Sequence, residues 1–311
     1  MAVATRVNPT ELFAPAQWAE ISAKSSWRGL WLVAHSWGVI GIAMLVGSIL
    51  PWLIPLLIPV VACRQLGLLI LMHDAAHGLL HPNRKVNDWA ATWFCSSALV
   101  PYRKVHLQHH RFAQQEEDPD LPLSKPFPIT KKSLWRKVLR DVSGLSFLKL
   151  HLSVDLESLW RHRGKPKKQL TASSLLKARA GIDRRLLWGC LFFLGLFSLL
   201  GYAWLWFALW LAPAMFCFPL IYRLRNIAEH AMVPVNEPSP YRHARTTLVA
   251  FWERALLAPY WVNYHCEHHM FTQVPCWNLP KAHRFLREIG AIEKMNVVNH
   301  YRSVLSQVIT H

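Results

Sequence analysis

The residues with the clearest chemical potential are histidines, which form three clusters along the chain. One cluster is an H-x-x-x-H pair and two are H-x-x-H-H triplets, here called boxes one, two and three: His73 and His77; His106, His109 and His110; His265, His268 and His269. On a helix, positions i, i+3 and i+4 lie on one face, so each box can aim two or three imidazoles at one point. Because neutral imidazole is a good ligand for iron, zinc, copper and nickel, the boxes predict a metal site.

The repetition of the boxes argues against coincidence. A lone H-x-x-x-H pair arises often by chance, but this chain has only 17 histidines, and two of its boxes share one triplet spacing. A further histidine, His230, ends the segment Asn226-Ile-Ala-Glu-His230. Eight or nine imidazoles exceed the needs of one metal ion, so two ions with four or five nitrogens each fit the pattern better.

Other metal chemistries fit the boxes less well. Box one has Asp74 where the metalloprotease motif H-E-x-x-H has its glutamate. The sequence holds neither a C-x-x-C pair for structural zinc nor the Glu-x-x-His pattern of soluble di-iron bundles. The boxes therefore favour an all-nitrogen site, and chemistry that needs O₂ and electrons would favour iron.

The elements that must position the boxes are apolar. Two long apolar blocks run over about 30–72 and 186–222, and each is about twice the roughly 20 residues of one bilayer crossing. We therefore expect an all-α membrane protein with four transmembrane helices in two hairpins, at about 30–50, 52–72, 186–203 and 205–223. The hairpin turns fall at 47–51 and near Gly201. Tryptophans near the predicted ends fit the aromatic belts of a membrane protein: Trp31, Trp52, Trp188 and Trp204.

Four spans would place both termini and all the boxes on one side of the membrane, in a single domain over residues 1–311. The segment 78–185 holds 21 Lys and Arg against 9 Asp and Glu. The positive-inside rule therefore puts the cap, residues 73–185 and 224–311, in the cytoplasm. The net charge of +17 could suggest nucleic acid, but the apolar blocks favour a bilayer with a basic face, so we expect no nucleic-acid partner.

Two polar features near the spans admit two interpretations each. Arg64 and Gln65 lie within the second span, where they either snorkel to its end or form a buried polar contact that lines a cavity. The segments Pro101–Lys104 and Trp89–Phe94 are candidate interfacial elements, and the aromatic one can equally be a helix that only packs.

The order of boxes around two apolar hairpins resembles the membrane fatty acid desaturase family, which includes related hydroxylases. Further agreement comes from Asp118-Pro-Asp120 after box two, from the Arg225–His230 segment, and from Asn263-Tyr264 before box three. The resemblance covers roughly residues 30–287. It is closest to short bacterial members without a fused cytochrome b5, because the chain has no His-Pro-Gly-Gly signature.

The resemblance implies a cytoplasmic helical cap that holds a histidine-rich di-iron site. Nine histidines would hold the two irons: His73, His77, His106, His109, His110, His230, His265, His268 and His269. Asn226 would approach one iron, through water. Asp74, Glu229 and Glu267 beside the predicted ligands either orient ligating histidines or are solvated or helix-paired carboxylates. Asp118 and Asp120 either support the ligands or start a helix.

The remaining histidines form no box. We interpret them as structural or surface residues: His35, His81, His151, His162, His243, His283, His300 and His311.

The implied reaction is an O₂-dependent attack on an unactivated C–H bond. Loss of a second hydrogen gives a double bond, whereas return of oxygen gives an alcohol. The chain has no G-x-G-x-x-G nucleotide fingerprint and no Cys pattern for an iron–sulfur centre, so electrons would come from a separate ferredoxin, or from a cytochrome b5-like protein with its reductase. An acidic carrier would suit the positive face.

Several functions remain open from the sequence. The first is a desaturase acting on an acyl chain of a fatty acid or lipid. The second is a hydroxylase or other oxidase acting on a carotenoid, a lipid or an alkane, including oxidative decarboxylation of a fatty acid. A metal transporter or scaffold would need ligands at mid-bilayer, whereas the boxes lie at span ends. A zinc hydrolase would need neither O₂ nor reductant. Lack of a recognisable targeting signal favours a bacterial inner membrane.

Overall fold

The computed structural model describes residues 6–95, 99–124, 126–149 and 184–310, with the side chains of 184–190 left out. Helices dominate these residues. The α-helices are α1 (Pro15–Ser22), α2 (Arg28–Ile49), α3 (Ile54–Ala76), α4 (Arg84–Ala90), α5 (Leu99–Arg111), α6 (Leu121–Ser124), α7 (Lys131–Val142), α8 (Arg184–Leu199), α9 (Ala203–Trp206), α10 (Phe218–His230), α11 (Phe251–Leu256), α12 (His265–Met270), α13 (Leu279–Glu288) and α14 (Tyr301–Val308).

Three stretches of helix among the described residues are long and apolar enough to cross a membrane. They are Arg28–Ile49, Pro51–Ala76 and Ala203–His230, and the last joins α9 to α10 through two π-helical turns. Many of their large side chains face outward, including Trp31, Trp52 and Leu56, as lipid contact requires. The helices are consistent with a membrane protein, and they match the first, second and fourth predicted spans.

The third predicted span falls on α8. This apolar helix has 16 described residues, fewer than the roughly 20 that cross a bilayer, and residues before Arg184 lie outside the described residues. The predicted turns agree with the structure: α2 ends at Ile49 and α8 at Leu199. The arrangement of four spans and the cytoplasmic position of the cap stay predictions.

The second described span is longer than one bilayer crossing needs, and box one lies at its C-terminal end. Its 26 residues extend about 39 Å at ~1.5 Å per residue, against a hydrocarbon core of about 30 Å. From Val61 onward most of its side chains are buried, whereas α2 buries only one narrow stripe. The C-terminal turns of α3 are therefore enclosed by protein on the side where box one lies.

Arg64 and Gln65 form buried polar contacts rather than snorkelling. Arg64 is 9% exposed and donates to the carbonyl of Ala255. Gln65 donates to the carbonyl of Trp210 at 2.9 Å, which joins α3 to the third described span. The second of the two sequence interpretations is the one that the structure supports.

Short parallel strands tie the cap together. Strands β1 (Ile129–Thr130) and β4 (Ile309–Thr310) pair, as do β2 (Thr246–Leu248) and β3 (Val297–Asn299). At the other end of the chain, Phe13 before α1 packs against Phe271 with ring centres 5.1 Å apart. The segment before α1 is thereby fixed to the end of box three, and β4 to the segment that leads into α7.

Gly29 tests the packing of the membrane hairpin against box one. A Cβ at this position in α2 would lie 2.1 Å from the carbonyl oxygen of Leu80, in the loop that follows His77. Since a backbone atom cannot move aside as a side chain can, we expect Gly29→Ala to lower the free energy of unfolding by about 3 kcal/mol. Thermal unfolding in detergent measures the effect.

The matched control is Gly41→Ala, on the same helix, where nothing lies within 4 Å of an added Cβ. An unfolding midpoint for Gly29→Ala equal to that of the control would contradict the close approach.

Candidate metal centre

The predicted ligands all lie at the ends of helices that point toward one region. Box one occupies the last turn of α3, and box two the last turns of α5. Box three lies on α12, and His230 ends α10. Seven of the nine histidines are buried, whereas His77 and His269 are half-buried.

The nine imidazoles divide into two groups whose nitrogens lie within 4.8 Å of one another. The group of five contains His73, His77, His106, His110 and His268. The group of four contains His109, His230, His265 and His269. This division agrees with the sequence expectation of two sites with four or five nitrogens each.

Each triplet serves both groups, which differs from the expectation that one box aims at one point. In box two, His106 and His110 join the group of five and His109 the group of four. At about 100° per residue, position i+4 lies about 40° to one side of position i, and position i+3 about 60° to the other. The i,i+4 pair therefore shares a target, and the i+3 histidine faces the second one. Box three repeats the division with the groups exchanged.

The ring nitrogens within each group converge rather than pair. His106 Nε2 lies 2.9 Å from His77 Nε2 and 3.0 Å from His110 Nε2. In the other group, His265 Nε2 lies 2.9 Å from His230 Nε2 and 3.2 Å from His269 Nε2. In a neutral imidazole, each ring nitrogen is either a donor or an acceptor. The Nε2 atom of His106 or of His265 therefore cannot satisfy both of its nitrogen neighbours through one proton or one lone pair.

These spacings fit a metal ion in each group. Nitrogens at about 2.1 Å from one ion stand about 3 Å apart, as these do. A converging set of lone pairs is costly when buried without a cation, and a metal ion removes that cost. The donor set therefore fits the two ions that the sequence suggested.

Burial keeps these histidines neutral, which is the form that binds metal. Burial lowers the pKa of His77 to about 4. Burial also holds the pKa values of other members well below the usual range, and mutual repulsion between the rings adds to the shift: His106, His110, His265, His268 and His269.

Asp118 fixes the tautomer of His109. The carboxylate is fully buried, and its Oδ1 accepts from His109 Nδ1 at 2.7 Å. A proton on Nδ1 leaves the lone pair on Nε2, which faces the group of four. Asp118 also accepts from the backbone N–H groups of Gln114 and Asp120, so it supports a ligand and organises a turn at once.

Two arginines cap the helices that carry His77 and His230. Arg103 donates to the carbonyls of Ala75 and Ala76 at 3.0 Å and pairs with Asp88. The buried Arg245 donates to the carbonyls of Ala228 and Ala231 at the end of α10. Positive charge at a helix C-terminus satisfies free carbonyls and opposes the helix dipole.

Sequence reasoning missed both caps. It placed Arg103 in an interfacial element, but this side chain lies against box one, and its neighbour Tyr102 is buried with its ring stacked on His106. Burial lowers the pKa of Arg245 to about 10, still well above neutral pH. No local motif marks Arg245, since its partners lie 14 to 18 residues earlier in the chain.

The remaining predicted residues lie around the groups in different ways. Asp74 Oδ1 lies 3.6 Å from His73 Nδ1, and Asp74 Oδ2 accepts from the backbone of Cys276. Glu267 is buried, and its partners are Thr246 and His283, neither of them among the nine histidines. Asn226 is half-buried one turn before His230 on α10. Their roles at a metal stay predictions.

Four of the histidines outside the boxes make polar contacts with oxygen atoms, two of them buried and two exposed. His283 is buried beside Glu267, and His243 is buried with its Nε2 at 2.9 Å from the carbonyl of Glu237. His300 contacts Glu253, and His35 contacts Tyr260. Glu229 was predicted either to orient a ligating histidine or to be a solvated or helix-paired carboxylate. It pairs with Arg225 and lies 3.5 Å from His265 Nε2. His151, His162 and His311 lie outside the described residues.

Comparison with known proteins agrees with this geometry. Residues 48–298 match the Fatty acid desaturase family, and this range contains all nine histidines. The chain is 26% identical to dihydrorhizobitoxine desaturase of Bradyrhizobium elkanii, over 75% of this chain and 67% of that protein. It is 25% identical to the beta-carotene ketolase of Paracoccus sp. (strain PC1), over 82% and 88%. It is 23% identical to the sn-1 oleoyl-lipid 12-desaturase of Arthrospira platensis, over 88% and 80%.

The chain belongs to the fatty acid desaturase family, as the family match covers well over half of its length. The resemblance seen in the boxes is thereby confirmed.

Removing the charge of Asp118 should loosen the metal. Asp118→Asn keeps the shape but weakens the bond that holds His109 Nδ1–H, so we expect metal affinity to fall about 10- to 100-fold. Competition with a chelator, followed by elemental analysis, measures the affinity. Glu116→Gln is the control, because this nearby carboxylate is exposed. Equal affinities in the two variants would show that Asp118 only shapes its turn.

The metal-free protein should lose stability in acid. Six boxed histidines have lowered pKa values in the folded protein, so unfolding lets them take up protons below the ordinary histidine pKa of about 6.5: His77, His106, His110, His265, His268 and His269. The free energy of unfolding should fall by up to about 1.4 kcal/mol per histidine for each pH unit below that value.

Unfolding midpoints of chelator-treated protein between about pH 8 and pH 5 measure this loss. His110→Gln should reduce the slope, and His81→Ala, which changes a half-exposed histidine outside the boxes, should not. A midpoint that is independent of pH would contradict a neutral cluster.

Proposed function

We propose that this protein is an O₂-dependent di-iron membrane oxidoreductase that desaturates an acyl chain of a fatty acid or lipid. The observation that supports it most is the pair of converging histidine groups at the end of a membrane helix, in a chain of the desaturase family. The nine histidines of the two groups would hold the irons. Bound iron would supply activation of O₂ and removal of hydrogen from an unactivated C–H bond.

The protein's own contribution is to hold one stretch of an apolar chain beside both groups. A small cavity touches His73 and His268 of the group of five and His265 of the group of four. Its other walls include Ile70, Val262 and Leu279, which suit a hydrocarbon and exclude water. Holding a C–H bond in a fixed place lowers the entropic part of the barrier.

The position of the cavity suits a substrate that stays in the membrane. The α3 helix brings the groups just beyond the expected hydrocarbon core, so an acyl chain could enter from the bilayer while its head group stays at the interface. The name of one relative refers to an oleoyl-lipid, and that likeness supports a lipid substrate for this chain.

We propose that electrons come from an acidic carrier, such as a ferredoxin, on the polar side of the centre. A second cleft reaches His110 and His269, and its walls include Arg6, Thr272 and Gln273. The net charge of +17 would steer an anionic partner toward the protein. We place this face and both termini in the cytoplasm, with the protein in a bacterial inner membrane.

Oxygenation is the second candidate reaction on the same site. Two similar proteins are carotenoid ketolases by name, the second a zeaxanthin 4-ketolase of Chlamydomonas reinhardtii with 25% identity over 71% of this chain. The histidines alone do not separate the two reactions, because the outcome depends on how the substrate lies against the metals.

Metal content and product mass test the proposal together. We expect about two iron atoms per chain and, in lipid extracts of expressing cells, an acyl species lighter by about 2 Da. A gain of about 16 Da would favour hydroxylation and one of about 14 Da ketone formation. Zinc without iron, with unchanged lipids, would overturn the O₂-dependent function.

Variants of one histidine from each group extend the test. His268→Ala and His109→Ala should each lower bound iron and abolish product, because they belong to different groups of one centre. His81→Ala is the control outside the boxes. His283→Ala is less suitable as a control, since this histidine is buried against Glu267. Full activity in either group variant would remove that histidine from the ligand set.

A further inference from the structure

A tyrosine separates the reaction cavity from the membrane hairpin. The cavity beside His73, His265 and His268 is small, and Tyr260 forms one of its walls. Tyr260 lies in the short 3-10 helix Pro259–Trp261, directly before box three. It is 7% exposed.

The backbone at Tyr260 has an unusual conformation. Its φ of 51° and ψ of 42° are left-handed, and Trp261 follows with a φ of 58°. Residues with side chains rarely adopt this conformation, and where they do the surrounding structure must hold them there. The side chain lies between α2 and α3, since it contacts Leu32 and Ser36 on α2 and lies beside Gly67 on α3.

Polar contacts anchor the end of the ring inside the hairpin. The Tyr260 hydroxyl donates to the carbonyl of Leu32 at 3.0 Å. It also lies 2.7 Å from Ser36 Oγ and 3.0 Å from His35 Nδ1, both on α2. A phenol with three partners holds one position, so the ring has little freedom to rotate away.

Helix α3 packs closely against the ring of Tyr260. A Cβ at Gly67 would lie 2.7 Å from Tyr260 Cε2, and the Arg64 guanidinium lies 5.4 Å from the ring centre. Glycine at position 67 is therefore what lets the ring lie against α3. The space left for the ring to move into is the cavity.

We propose that Tyr260 is a specificity-determining residue, whose ring position, set by Gly67 and Ser36, sizes the cavity and selects which carbon of the substrate meets the metals. The inference rests on the proposed function for its chemistry, but the geometry of the wall stands apart from the metals. A ring displaced by about 1 Å changes which part of a flexible chain fits beside the histidines.

Two substitutions move the wall in opposite directions. Gly67→Ala should push the ring into the cavity, whereas Tyr260→Leu should widen it. Gly38→Ala is the matched control, because it adds the same methyl group on a span where nothing lies within 4 Å. The double variant Gly67→Ala, Tyr260→Leu should recover part of the lost space.

One readout does not depend on catalysis. Binding of cis-parinaric acid, a fluorescent fatty acid, to metal-free protein should weaken about tenfold in Gly67→Ala and stay unchanged in Gly38→Ala. The double variant should bind more tightly than Gly67→Ala alone.

The second readout is the position of the new double bond or oxygen in the products of iron-loaded protein. It should shift in Gly67→Ala and in the opposite direction in Tyr260→Leu, at unchanged iron per chain. Wild-type products and wild-type probe affinity in both variants would overturn the inference.

The two proposals fail separately. If the wild-type protein makes no O₂-dependent product, the proposed function fails, and the probe still decides whether Tyr260 sizes the cavity. If Gly67→Ala unfolds, Tyr260→Leu carries both readouts alone.

Discussion

The constraint on which the structure depends is that nine imidazoles must be brought out of water, kept neutral and aimed at two points. Buried polar rings need partners, and these rings face one another instead. Only rigid supports hold such an arrangement together, which is why the ligands lie at the ends of packed helices rather than on loops. The position of α3, α5, α10 and α12 follows from this requirement.

The charged side chains around the imidazole rings orient these rings and the helix ends that carry them, more than they add stability. Asp118 sets the tautomer of His109, and Arg103 and Arg245 satisfy the carbonyls at the ends of α3 and α10. A helix end that frays would move its histidine by more than a metal bond tolerates. Arg103 donates to two successive carbonyls of α3, and Arg245 donates to three carbonyls at the end of α10, so both hold these helix ends in place.

The local part of this architecture could be predicted from sequence, because it depends on helical periodicity. The boxes, the hairpin turns and three of the spans come from spacing and apolar length. The same periodicity, taken one step further, explains why His109 and His110 face different groups. What could not be predicted depends on partners far apart in the chain. Nothing in the local sequence distinguishes Arg245 from other basic residues, because its partners lie on α10. The sequence allows Arg64 to snorkel, and only the fold shows that it donates to the carbonyl of Ala255.

The features that would hold the metals differ from those that would decide the reaction. The chain is similar both to a protein named as a desaturase and to one named as a ketolase, so the family match by itself does not choose between loss of hydrogen and gain of oxygen. On the proposed function, that choice would depend on the walls beside the histidines, which include Ile70, Val262, Leu279 and the ring of Tyr260. Because Tyr260 is anchored to α2 and leads directly into box three, its position couples the membrane hairpin to the reaction cavity. We therefore expect a change in the packing of the hairpin to alter which product forms more readily than it alters which histidines bind metal.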